Sequence, residues 1–191
     1  MGKSYPTINT ERLFLRPFFV SDAKEVQILA GNKEVNRTLF TFDASKNGSA
    51  EQWIISQHDH FEKGEWVNLA ITEGHLCILI GSVGLEIERK NNNAELVYWL
   101  GKDYWGQGYA TEAARGVVSY GFDELKLHRI YARYFSRNLA SGRVLEKLGM
   151  THEGRLRDHL KKFGVYEDLE MAGLLEEEFR ELQMGGKLYR L

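Results

Sequence analysis

The chain has 191 residues, 43% of them hydrophobic and 27% charged, with a formal net charge of −2 and a pI near 6.3. That is enough apolar material for one globular domain over 1–191, and a charge balance that argues against a generally basic, polyanion-binding surface. Cys77 is the one cysteine, which excludes an internal disulfide and a cysteine-rich metal site.

Residues 13–17 read as a short strand that Pro17 ends, after which Ser21 or Asp22 caps a helix through Leu29. A second short helix is expected over 33–38. Residues 43–48 are polar and turn-rich, and Ser49 caps a helix to about Lys63. Strands follow at 66–72, 76–88 and 94–100, separated by turns at Gly74 and at 90–93. Gly81 and Gly84 inside the long strand predict a bend or bulge. Cys77 sits in the apolar run Leu76-Cys77-Ile78-Leu79-Ile80, so a small buried core side chain is expected there. Next come a helix over 108–124, a strand over 129–135, a helix over 139–148, strands over 151–160 and 166–175, and an acidic helix over 176–183. Helices, an antiparallel meander, then strand–helix–strand–helix make an α+β fold with a mixed sheet. No apolar run is long enough to span a bilayer. The N-terminus lacks a basic region followed by an apolar stretch, so a cytoplasmic protein is expected.

The most informative stretch is Tyr104-Trp105-Gly106-Gln107-Gly108-Tyr109-Ala110-Thr111-Glu112, where an apolar strand turns into a long helix. Glycine permits a tight turn and close backbone approach, and the first N–H groups of a helix lack intrahelical acceptors. Three readings compete: a plain strand-to-helix turn, a dinucleotide fingerprint, and a pyrophosphate cradle of another kind. The dinucleotide fingerprint fails because Thr111 stands at its third glycine, and Asp123 and Glu124 close a helix rather than end a strand.

The cradle, following Ala94-Glu95-Leu96-Val97-Tyr98-Trp99-Leu100, resembles the phosphate loop of the GNAT N-acetyltransferase superfamily, Arg/Gln-x-x-Gly-x-Gly/Ala. Trp105 at the first position departs from that pattern and is similar to one branch, enzymes that acetylate N-termini of ribosomal proteins. Asn138-Leu139-Ala140-Ser141, with a helix ending in Gly149-Met150, resembles the second signature of that branch. The opening Thr10-Glu11-Arg12-Leu13-Phe14-Leu15-Arg16-Pro17, Glu153-Gly154 and Tyr166-x-Asp168 fit as well, so the resemblance covers roughly residues 7 to 180.

The resemblance implies a GNAT fold: a mixed, mostly antiparallel central sheet flanked by helices, with two central parallel strands splayed to admit acetyl-CoA. Acetyl-CoA is the implied donor, with no metal. Backbone N–H groups of Gly106, Gly108, Tyr109, Ala110 and Thr111 would hold its pyrophosphate, the side chains of Trp105 and Gln107 mattering less. Backbone groups of Tyr98, Trp99 and Leu100 would serve the pantetheine arm, one of them also stabilising the oxyanion. Asn138 binds that arm or caps the following helix; one residue can do both. Glu95 is the candidate base, acting through a water; its plainer reading is a solvated strand-end carboxylate. Many relatives protonate the leaving thiolate with a tyrosine seven residues after the asparagine, but Leu145 stands there, which leaves Ser141 as the candidate donor. Its plainer reading is a first-turn helix residue.

The implied acceptor is a protein N-terminus or a small amine such as a polyamine, an amino acid or an aminoglycoside. At pH 7 an α-amine is roughly 15% neutral and a lysine roughly 0.04%, a difference of about 3 to 4 kcal/mol in base assistance. A chain with no unmistakable base suits the α-amine. A non-catalytic acyl-CoA-binding module is the alternative of another class. Neither nucleic acid nor membrane is an expected partner, and the family's frequent dimers leave a homodimer open. His58-Asp59-His60 reads as a helix face rather than a ligand set, Glu112 as a first-turn carboxylate, and Asp158 and His159 as acceptor contacts.

Overall fold

Alternating apolar residues along the strand segments build one eight-stranded sheet in the computed structural model, which describes residues 4–40, 49–74 and 77–186. In chain order the elements are β1 (Ile8–Asn9), β2 (Leu13–Arg16), α1 (Ala23–Gly31), α2 (Lys33–Asn36), α3 (Ser49–Lys63), β3 (Trp66–Glu73), β4 (Ile78–Glu88) and β5 (Asn93–Leu100). Then come α4 (Tyr109–Asp123), β6 (Arg129–Phe135), α5 (Leu139–Lys147), β7 (Thr151–Lys162), β8 (Val165–Leu175) and α6 (Glu176–Met184). The strand order is β1-β2-β3-β4-β5-β6-β8-β7, antiparallel throughout except for the central pair β5–β6. This is the mixed, mostly antiparallel architecture expected.

The two sheet faces bury separate clusters, as the period of two along a strand requires. Val83, Leu85, Ala94, Leu96, Ile130 and Ala132 pack with Ala113, Ala114, Val117, Val118 and Phe122 of α4 on one face. Full burial of a side chain such as Phe122 contributes about 1.5–3 kcal/mol. Trp99, Ala70 and Leu79 instead meet Phe18, Val26, Ala30 and Ile54 under α1 and α3 on the other.

β5 and β6 are registered only over Asn93↔Arg129, Ala94↔Ile130 and Glu95↔Tyr131. From Leu96 onward they part, and this gap is the feature of the fold that matters for function. The bulge expected in the long strand falls at Ile80, between Ile71↔Gly81 and Thr72↔Leu79. Gly81 is needed beside it, since a Cβ there would lie 2.2 Å from the Trp99 carbonyl oxygen.

Two expectations need correction. Cys77 is exposed, not buried: it stands in the β3–β4 turn with φ +50 and its N–H bonds the Gly74 carbonyl. Among the described residues β4 begins at Ile78, which pairs with Glu73, and Cys77 stands ahead of it. The second helix stops at Asn36, two residues early, and β1 is too short to leave a periodic signal. The turn expected over 43–48 and the expected strand start at Leu76 lie outside the described residues.

Candidate active site

A cavity of about 670 Å³ opens where β5 and β6 part, and it is lined from both faces of the sheet. The alternation along β5 sorts its residues: Tyr98 turns toward α4 and α5, whereas Glu95 and Trp99 turn toward the side of α1 and α3. The cavity thus joins a chamber beside the glycine loop to a second chamber on the far side.

On the first side, Gly106 and Gly108 have φ of +77 and +85, conformations that favour glycine. Gly108 is the N-cap of α4, whose first intrahelical bond runs from the Glu112 N–H to the Gly108 carbonyl at 3.1 Å. The N–H groups of Tyr109, Ala110 and Thr111 therefore lack intrahelical acceptors and stand at the positive end of the helix dipole, beside the cavity they help line. This donor set fits a pyrophosphate, as in acetyl-CoA.

Arg12 braces the loop. Its guanidinium donates to the Gln107 carbonyl at 3.0 Å and to Glu112 at 2.7 Å, and it lies 4.4 Å from the centre of the Tyr109 ring. Glu112 also accepts from Thr10 Oγ1 and from the Arg12 N–H. Burial would raise its pKa, but these hydrogen bonds overcome that and hold it below the usual carboxylate range. Glu112 is thus a bolt between the β1–β2 connection and α4. Trp105 folds back to donate from Nε1 to the Leu100 carbonyl at 2.9 Å, and the Gln107 side chain bonds the Asp103 carbonyl. Among the residues expected to serve the donor or the chemistry, Gln107 is the one that does not line the cavity.

At the start of α5, Asn138 Oδ1 accepts from the Ser141 N–H at 3.3 Å, so Asn138 caps the helix while lining the cavity. Ser141 Oγ lies 2.7 Å from the Tyr98 hydroxyl. Leu145 is buried in the core.

The second chamber is polar at its floor. Glu95 is not a solvated strand-end group: it is 4% exposed, and both its oxygens are held by Arg133, at 2.9 Å from Nε and 2.6 Å from Nη2. Removing one member of a fully buried pair costs about 3–5 kcal/mol, and the part-exposure of Arg133 places this one lower. Glu86, the cross-strand partner of Glu95, lines the same chamber; burial, then the Glu95 charge, push its pKa up. Behind them Ser82 Oγ donates to Asn68 Oδ1, and Asn68 Nδ2 donates to Gln57 Oε1. Trp53, Trp66 and Phe40 complete the walls.

Sequence reasoning missed Arg12, Arg133, Glu86 and the Tyr98 side chain. Arg12 lay within a quoted motif, and Arg133 shares the alternation of a strand already identified. Leu160 and Leu169 reach the cavity, whereas Asp158 and His159 do not. His58 Nε2 sits 2.8 Å from the Phe18 carbonyl oxygen and His60 Nδ1 2.8 Å from Glu65, so each has its own partner. Among the described residues no group of three metal-ligating side chains converges, and no helix is long and apolar enough to cross a membrane.

Residues 12–151 match the family model described as an acetyltransferase (GNAT) domain. The chain is 32% identical over 174 residues to the uncharacterized N-acetyltransferase p20 of Bacillus licheniformis, covering 91% of this chain and 98% of that protein. YdaF of Bacillus subtilis, provisionally named a ribosomal N-acetyltransferase, is 36% identical over 107 residues, which cover 56% of this chain and 57% of YdaF. Among solved structures, Mycobacterium smegmatis RimJ in complex with CoA-disulfide superposes with a TM-score of 0.82 at 21% identity, covering 96% of each chain.

Proposed function

The chain belongs to the GNAT acetyltransferase family, and we propose that it transfers the acetyl group of acetyl-CoA to the N-terminal α-amine of a protein, ribosomal proteins being the first class to test. The observation that carries this reading is the two-sided cavity: a cradle of N–H groups on one face of the sheet, a carboxylate-floored chamber on the other, and an open gap between β5 and β6. When bound, the donor supplies an activated acyl carbon with a thiolate leaving group. Gly106, Gly108, Tyr109, Ala110 and Thr111 hold its pyrophosphate through main-chain N–H groups. Tyr98, Trp99 and Leu100 offer the free edge of β5 to its arm, and Asn138 stands at the gap. Ser141 donates a proton to the departing sulfur.

Glu95 takes the acceptor proton through a water. A second reading has its own support: Arg133 occupies both oxygens of Glu95, whereas its neighbour Glu86 carries a raised pKa that suits a base working nearer neutrality. The α-amine is favoured over lysine by its neutral fraction, and the partial likeness to YdaF points the same way. Cytoplasmic location and a homodimer belong to the same reading.

The test is thiol release from acetyl-CoA with short peptides beginning in Ala or Ser, run beside polyamines, amino acids and aminoglycosides. Preferred turnover of the peptides is expected. Turnover confined to the small amines would overturn the acceptor class. Tight CoA binding with no turnover on either panel would leave a binding module.

A further inference from the structure

Tyr98 brings more than its main chain to the donor side of the cavity. Its hydroxyl reaches across the gap from β5 to the first turn of α5, 2.7 Å from Ser141 Oγ and 3.3 Å from the Ser141 carbonyl oxygen. Such a pair has two arrangements. In one, Tyr98 donates to Ser141 Oγ and the serine proton is free to turn elsewhere. In the other, Tyr98 donates to the carbonyl and the serine proton is spent on the phenol oxygen. A phenol is more acidic than an aliphatic alcohol and is the better donor, and the Oγ contact is the shorter. Both facts select the first arrangement. Burial raises the Tyr98 pKa well above its ordinary value, against a smaller lowering by Ser141, and Tyr134 nearby adds to the rise. Tyr98 therefore keeps its proton and remains a donor at neutral pH.

Resting on the acetyl-transfer reading, we propose that Tyr98 is a positioning residue for the leaving-group proton: its hydroxyl donates to Ser141 Oγ and frees the Ser141 O–H to point at the sulfur. As the C–N bond forms and the C–S bond breaks with its electron pair on sulfur, the Ser141 proton passes to sulfur. The proton shed by the attacking nitrogen goes to the base through water, Ser141 is reprotonated from solvent, and Tyr98 retains its own proton throughout. Leu145, buried one turn further along α5, carries no group that could substitute.

Tyr98→Phe keeps the ring and the main chain, and the deciding measurement needs no acceptor. The thiol of bound CoA is titrated through its thiolate absorbance in wild type, Tyr98→Phe, Ser141→Ala and the double variant. An O–H aimed at sulfur stabilises the thiolate, so losing it should reduce the thiolate fraction at a given pH by about ten-fold. Both single variants are expected to shift in that direction, and the double variant no further than Ser141→Ala. The turnover number should follow the same pattern, with CoA affinity unchanged. A Tyr98→Phe titration that overlays wild type overturns the proposal, as does a double variant in which the two effects add. Absence of turnover on every amine would refute acetyl transfer alone, since the thiol titration still decides on Tyr98. Failure to bind CoA overturns both.

Discussion

Substituting Gly108 by valine tests the donor cradle at the N-cap of α4. Gly108 has φ +85 and ψ −6, and an added Cβ meets only Arg12 Nη2, at 3.4 Å. Steric conflict inside the protein is therefore small, and the cost is the left-handed backbone, about 1–3 kcal/mol for a non-glycine residue. In a protein of this length each kcal/mol lowers Tm by about 2–4 °C, so a fall of about 2–12 °C is expected. Cofactor binding should suffer more. The branched side chain shifts the N–H groups of the first turn of α4, and losing two charge-assisted hydrogen bonds at about 1.5–3 kcal/mol each weakens CoA binding by about 100-fold or more. Gly164 supplies the control: φ is +86, no atom lies within 4 Å of its added Cβ, and it sits between β7 and β8, off the cavity. Gly164→Val should lower Tm comparably and leave CoA affinity unchanged. Thermal melts and calorimetric titration with CoA read both quantities. Wild-type affinity in Gly108→Val would refute the cradle, and equal losses of affinity in both variants would show that general destabilisation is the cause.

Two further predictions concern carboxylates. Glu95→Gln and Glu86→Gln separate the candidate bases: the variant that removes the base should lose about 100-fold or more in turnover and flatten the acid limb of the pH–rate profile, with CoA affinity retained. If neither moves that limb, the acceptor loses its proton to solvent. Glu170, held by His152, Ser136 and Arg155, has its pKa lowered from 4.5 to about 2. A depressed folded-state value contributes stability that is fully present above pH 4.5 and is lost as pH falls toward about 2. Wild-type Tm should therefore drop more steeply than that of Glu170→Gln over this window, and parallel curves would contradict the assignment.

How much of the site was legible depended on whether its cause was local. Gly106 and Gly108 were readable because a turn demanding positive φ leaves few residue choices. Glu95 and Tyr98 face opposite sides of the sheet, as the period of two along one strand requires, but the sequence reading used only the main chain of Tyr98 and missed its side chain. Contacts between elements were not readable. β5 and β6 are parallel and joined through α4, so no short turn fixes their register, and neither the Arg133–Glu95 pair nor the Tyr98–Ser141 pair can be counted off in sequence. Arg12 was visible only as part of a motif; its work as a brace depends on β2 lying beside the start of α4. Cys77 failed for another reason, since hydrophobicity marks a strand without marking where a hairpin must spend residues to reverse.

The most direct test of the account is a structure with CoA and an Ala- or Ser-initiated peptide bound together. Pyrophosphate is expected on the main-chain N–H groups from Gly106 to Thr111, the pantetheine arm along β5, sulfur beside Ser141, and the peptide α-amine in the chamber floored by Glu86 and Glu95. CoA seated away from the gap between β5 and β6, or a peptide entering from the glycine-loop side, would contradict it.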